Sequence, residues 1–331
     1  FLLVRDTFSF DALEYTLKLS FPVYIYYFSR RLIRSKTDLH GVFQTFLYSS
    51  LVVAAIFMFE LVFHPINVVY SRGLERFQGS YADSMNYAVY LTCSLAIVCY
   101  AFLEKQSVYS FSKRVTPVLI VVVLGTLMLF NINHTASYGV VGTTLLLFLL
   151  HSLRSNVGAG IAFSIALMAI IYVFGHETID EKIRPLVETD IKVYEGEKDN
   201  EALLHGRVGR WENFLGVFFD QGIVAQFIGL PSEMAKPYMY ISKGSHNDFV
   251  RTLMFTGFLG LLAYLFVLSS LFVRVTSHKT PAQFLGLSSL AILCLYSIST
   301  TPLLYQPMMY VLLPVFCLFT LPAPIIDDYA G

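Results

Sequence analysis

The sequence predicts an all-α fold: a polytopic integral membrane protein of about nine transmembrane helices, a truncated one ahead of them, and one large extramembrane loop. Three observations carry that expectation. Of 331 residues, 56% are hydrophobic and 14% charged, where a soluble domain has about 25% charged. Apolar stretches near the length of a bilayer core recur along the chain. One interval, 176–246, is long and polar between them. The 23 basic residues balance the 23 acidic ones, so there is no basic excess for nucleic-acid binding. A soluble globular enzyme and a disordered chain are excluded on the same composition.

The elements follow in order. The chain opens on "FLLVRD", which reads as the tail of a transmembrane helix, so the N-terminal part of the natural protein is expected to be missing. Expected spans are 12–29, 40–63, 84–103, 115–132, 138–153 and 157–175, then 247–273, 283–300 and 303–322. Pro22, Pro302 and Pro307 are expected at kinks or span boundaries. This divides the chain into N-terminal helices (1–175), a loop subdomain (176–246) and C-terminal helices (247–331).

Short basic loops alternate along the chain. Arg30, Arg31, Arg34 and Lys36 lie in one, then Lys105, Lys113 and Arg114, then Arg154, then Arg274 and Lys279. Basic loops stay in the cytoplasm, so the 176–246 loop is expected to face outward, into the periplasm if the organism is Gram-negative. That loop holds 12 acidic and 8 basic residues, too many charges to lie within lipid. In its second part Trp211, Phe214, Leu215, Phe218 and Phe219 follow helical spacing, and an amphipathic helix on the membrane surface is expected. Cys93, Cys99, Cys294 and Cys317 all sit in apolar stretches and read as small buried side chains. Among the histidines, His40, His151 and His278 read as interfacial on the cytoplasmic side. The Gly257-x-x-Gly260 pair reads as a site of close helix packing.

The residues able to carry chemistry gather on the outer face. His246 sits where the chain re-enters the membrane, followed by Asn247, Asp248 and, a turn later, Arg251. A histidine there can act as a general base, a metal ligand or a plain interfacial residue. Arg207 and Arg210, three apart, share a helix face if that stretch is helical. Arg72 and Arg76 lie in another outer loop, four apart. Guanidinium groups bind diphosphate through forked, charge-assisted hydrogen bonds. The same arginines can equally be juxtamembrane residues paired locally, as Arg72–Glu75–Arg76 or Arg210–Glu212. The spacing leaves both readings open, and no cluster with metal-ligand spacing stands out.

Three segments resemble the O-antigen ligase and Wzy-type polysaccharide polymerase superfamily. They are "RFQGSYADSMNYAVY"; "GRVGRW", with Gly206, Arg207 and Trp211 and an apolar run ending at Gly229; and "HNDFVRTLMFTGFLGLL", with His246, Asn247, Gly257 and Gly260. The resemblance covers roughly 40–320. It implies a GT-C-like glycosyltransferase of the bacterial inner membrane, metal-independent and without a cofactor. Its donor would be an undecaprenyl-diphosphate-linked glycan, and its acceptor another glycan or a lipid A–core sugar. Membrane lipids and other polysaccharide assembly proteins are the further partners implied, with no nucleic acid. In that scheme His246 is the base and Arg207 holds the diphosphate; Arg76, Arg210, Asn247, Arg72, Arg251 and Trp211 bind substrate.

One departure concerns "HTASYGVVG". The family often carries an arginine where Tyr138 stands, after Thr135 and Ser137. Arg251 is a candidate substitute for the missing cation. Two other readings compete. A transporter or flippase of lipid-linked sugars would favour internal repeats and charges near the bilayer midplane. A non-catalytic scaffold of a polysaccharide assembly complex would keep the fold and tolerate the loss at Tyr138.

Overall fold

The computed structural model describes residues 10–63, 68–71, 74–77, 84–103, 135–155, 184–197, 207–230, 246–278, 281–304 and 306–320, with isolated positions between 157 and 203. The helices in chain order are α1 (Phe10–Leu32), α2 (Lys36–Phe63), α3 (Ser84–Leu103), α4 (Thr135–Ser155), α5 (Arg184–Tyr194), α6 (Arg207–Phe219), α7 (Ile223–Ile228), α8 (Asp248–Thr276), α9 (Ala282–Ser299) and α10 (Gln306–Leu318). The protein is a helical membrane protein. Three helices are long and apolar enough to cross a bilayer among the described residues: Ala136–Arg154, Asp248–Thr276 and Ala282–Ser299. The expected spans 115–132 and, for the most part, 157–175 lie outside the described residues. The last expected span, 303–322, is divided. Pro302–Leu304 forms a 3-10 turn and α10 has only 13 residues. At 1.5 Å per residue that is about 20 Å, short of a bilayer core.

The elements among the described residues are helical but for one small hairpin. Val68–Ser71 (β1) and Leu74–Phe77 (β2) pair antiparallel, with Val68 opposite Phe77 and Ser71 opposite Leu74. Val68, Val69 and Tyr70 are strand-favouring residues, and the sequence between the strands is Arg-Gly, suited to a two-residue hairpin.

The chain divides into two compact units. The first takes Phe1–Pro22, His176–Ser270 and Tyr296–Leu304; the second takes Val23–Gly175, Leu271–Leu295 and Tyr305–Gly331. In the second unit α3 is the central element and packs against α2, α4 and α10. From Ala88 to Cys99 every α3 side chain but Tyr90 is buried, as expected of a helix apolar on all sides. Phe43 meets Tyr100 edge-on at 5.7 Å, and Tyr26 donates a hydrogen bond to Thr320 Oγ1 at 2.7 Å. His151, expected at the interface, is buried instead. Its Nδ1 lies 2.8 Å from the Leu147 carbonyl and its ring centroid 5.7 Å from that of Phe284. The cysteines match their reading: all four are free thiols, three of them buried.

The corner between α1 and α2 is a capping box. Ser35 N–H donates to Asp38 Oδ2 at 2.9 Å, and Asp38 N–H donates back to Ser35 Oγ at 3.2 Å. Ser35 Oγ and Arg34 N–H also donate to the same carboxylate oxygen. These bonds, the Ser35 hydroxyl foremost, hold the Asp38 carboxyl below its ordinary value of 3.8.

Candidate functional site

The first unit contains the candidate site, built on the packing of α6 and α7 against the start of α8. Phe214, Phe218, Leu230, Leu253, Met254 and Phe255 form one buried cluster, flanked by Leu215, Ala225, Val250, Phe258 and Leu261. Phe218 is fully buried and meets Phe219 and Phe258 edge-on, with centroids 5.4 and 5.7 Å apart. Helix α6 is amphipathic, as its spacing leads one to expect. Part of its apolar stripe, Phe214 and Phe218, packs on α8, with Trp211 and Leu215 half-buried and Phe219 exposed.

Helix α8 is not straight. Gly257 has φ 65° and ψ −166°, outside the helical region. On a straight helix Phe249 and Tyr264, 15 positions apart, would stand about 22 Å apart. Their ring centroids lie 5.6 Å apart, so the chain bends sharply at Gly257. The expected single span 247–273 is therefore two helical pieces. The longer piece after Gly257 rises about 28 Å, close to a bilayer core by itself. Gly257 and Gly229 explain the bend together. A Cβ on Gly257 would collide with the backbone of Gln226 and Phe227, and a Cβ on Gly229 with that of Phe255 and Thr256. Both have positive φ, and Leu230 N–H donates to the Met254 carbonyl at 2.7 Å. Two chain segments thus touch backbone to backbone, which only glycine permits. The expected packing role of Gly257 holds, with α7 and the residues after it as the partner.

His246 immediately precedes this bent element. It is half-exposed and is the one non-glycine residue with positive φ among the described residues, at 46°. That region is sparsely occupied, though histidine enters it more readily than most residues. Asn247 follows as the N-cap of α8: Phe249 N–H and Val250 N–H donate to its Oδ1 at 2.9 and 3.1 Å. Asp248 is buried, and Leu303 N–H donates to its Oδ2 at 3.1 Å, which ties the start of α8 to the 3-10 turn. Arg251, one turn on, is also buried. Its Cζ lies 5.7 Å from the Phe255 ring centroid, a cation–π contact.

The arginines of the other motif open α6. Arg207 is its first residue; Arg210 and Trp211 follow within a turn, and all three are half-buried. The first turn of a helix carries unpaired N–H groups and the positive end of the dipole, which adds to the guanidinium charge. So Arg207, Arg210 and Trp211 lie on one helix, His246, Asn247 and Arg251 at the head of another, and the two helices share a core.

The remaining expected residues fall elsewhere. Arg76 lies in β2, opposite Val69, within the second unit. Its four-residue spacing from Arg72 therefore has no helical meaning. Arg72 lies outside the described residues. Ser137 is buried and Tyr138 half-buried in the first turn of α4. Sequence reasoning missed the Asp248–Leu303 tie and the pairing of Gly229 with Gly257. The Asn-Asp pair ahead of an apolar run signals the Asn247 cap, but nothing local signals the tie to Leu303. The glycine pairing had only two isolated glycines to show it. Among the described residues no three His, Cys, Asp or Glu side chains converge to hold a metal. Comparison with family models finds no match, and comparison with curated proteins finds none either.

Proposed function

We propose that the protein is a membrane glycosyltransferase that moves an undecaprenyl-diphosphate-linked glycan onto a sugar hydroxyl, as a polysaccharide polymerase or an O-antigen ligase does. The observation that carries this reading is the pairing of α6 with the head of α8. The Gly-Arg-x3-Trp segment and the His-Asn segment, over 30 residues apart in sequence, belong to helices joined by one buried cluster.

The chemistry follows from the residue types. Neutral imidazole at His246 takes the proton from the acceptor hydroxyl. The freed oxygen attacks the anomeric carbon of the donor sugar. The bond from that carbon to the diphosphate oxygen breaks, and the lipid diphosphate leaves with the electron pair. Arg207 binds the departing charge, with Arg210 beside it and Arg251 as the buried cation nearest His246 in sequence. Asn247 sets the backbone from which His246 projects.

The test uses purified full-length protein in lipid vesicles supplied with an undecaprenyl-diphosphate-linked glycan. Wild type is expected to release lipid diphosphate and form longer or acceptor-linked glycan. His246→Asn is the sharper variant, because asparagine tolerates positive φ and keeps the backbone while lacking a base. It should bind donor and release nothing. Undiminished release from His246→Asn would overturn the assignment.

A further inference from the structure

The second unit carries a groove unrelated to the residues above. It encloses about 510 Å³ and is lined by Leu32 and Ile33 at the α1–α2 corner and by Asp38, Gly41, Val42, Thr45, Phe46 and Ser49 along α2. The α2 residues fall at three- and four-residue steps, so they form one stripe about 16 Å long. Its deeper end closes where Ser49 hydrogen-bonds Tyr90 and Phe46 stacks against the same ring, with centroids 4.6 Å apart. On either side the helices present exposed apolar residues, Tyr24, Phe28, Val52 and Phe59 among them, as a lipid-facing surface does.

The corner end is cationic. Arg30, Arg31 and Arg34 are all exposed there. Arg34 Nε donates to the Arg31 carbonyl at 3.0 Å, and the Arg31 guanidinium lies 5.1 Å from the Tyr27 ring centroid. Asp38 is the one acid on the groove wall, and its carboxylate is already engaged by the Ser35 hydroxyl and two backbone N–H groups. A largely apolar trough whose corner residues, Leu32 and Ile33, are flanked in sequence by the exposed Arg31 and Arg34 matches an amphiphile with an acyl chain and an anionic head.

We propose that this groove is a binding site for one anionic phospholipid, its chain along the Gly41–Phe46 stripe and its phosphate on Arg31 and Arg34. The charge decides the occupant: a neutral zwitterionic lipid gains the trough but little from three arginines, whereas each basic residue near an anionic head adds attraction. The inference rests on the membrane character of the protein and not on the proposed glycosyl transfer.

The test is native mass spectrometry of the full chain, released from detergent micelles containing equal amounts of phosphatidylglycerol and phosphatidylcholine. Wild type is expected to retain phosphatidylglycerol over phosphatidylcholine by roughly tenfold or more. Arg31→Gln combined with Arg34→Gln should reduce that preference to near unity. Gly41→Leu should lower retention of both lipids. A Cβ at Gly41 meets nothing within 4 Å, and leucine is a better helix former than glycine, so this variant keeps the fold while filling the trough. Equal retention of the two lipids by wild type would overturn the proposal. So would undiminished phosphatidylglycerol binding in either variant.

Discussion

At His246 the backbone and the side chain make separate demands. The backbone sits at φ 46°, and the residue ahead of Asn247 must hold that turn for α8 to be capped. The proposed chemistry calls for an imidazole on that backbone. His246→Gly accepts the same positive φ and should abolish turnover, readable by product assay. Asn247 divides the other way. Asn247→Ala removes the acceptor for two N–H groups and should cost about 1 kcal/mol of stability, measured by denaturant unfolding in detergent. In the proposed reaction Arg207 acts where charge develops, so Arg207→Gln should lower kcat about a hundredfold with a smaller change in KM. That His246 and Asn247 precede one helix and Arg207 opens another was legible in the sequence, because apolar periodicity begins just after each. The burial of Arg251 and Asp248 was not. Nothing in "HNDFVRTL" tells a charge at a helix head to turn inward, since that depends on Leu303 arriving from 55 residues away.

The helices of the bundle are largely where hydropathy puts them: α2, α3, α4 and α9 each match an expected span to within a few residues. Apolar length is a one-dimensional property, and a sequence carries it completely. The bend in α8 is a different kind of fact. It needs the sign of φ at Gly257 and a partner backbone at Gln226 and Phe227, neither of which periodicity encodes. Gly257→Ala should cost at least about 1–3 kcal/mol from backbone strain alone, with a further penalty from the blocked contact. Gly229→Ala should act in the same direction, and the double variant should be less than additive, because both substitutions break one contact. Phe218→Ala, at the centre of the cluster joining α6 to α8, should cost about 3–5 kcal/mol. The α1–α2 corner offers a pH test. Asp38 has a lowered value in the folded protein, so its stabilisation is complete above 3.8 and is lost as pH falls through the folded value. The melting difference between wild type and Asp38→Asn should accordingly be largest near neutrality and close in acid.

For the molecule as a whole, the division into two units bears on how its functions are distributed. The unit formed by Phe1–Pro22, His176–Ser270 and Tyr296–Leu304 brings together residues from distant parts of the sequence. Among the described residues this unit holds both the His-Asn and the Gly-Arg motif. The other unit, centred on α3, holds the lipid groove and the hairpin that carries Arg76. Substitutions at Arg31 and Arg34 should therefore change lipid retention without abolishing turnover, and His246→Asn should do the reverse. The central claim is that His246 serves glycan transfer, and it is tested most directly in a cell. A strain lacking this protein would be complemented with wild type or His246→Asn, and the lengths of lipid-linked and surface-attached polysaccharide measured separately. The account predicts that wild type restores the long or acceptor-attached glycan. His246→Asn should instead leave single repeat units, or finished chains stranded on the lipid diphosphate, at normal protein abundance. A wild-type profile from His246→Asn would contradict it.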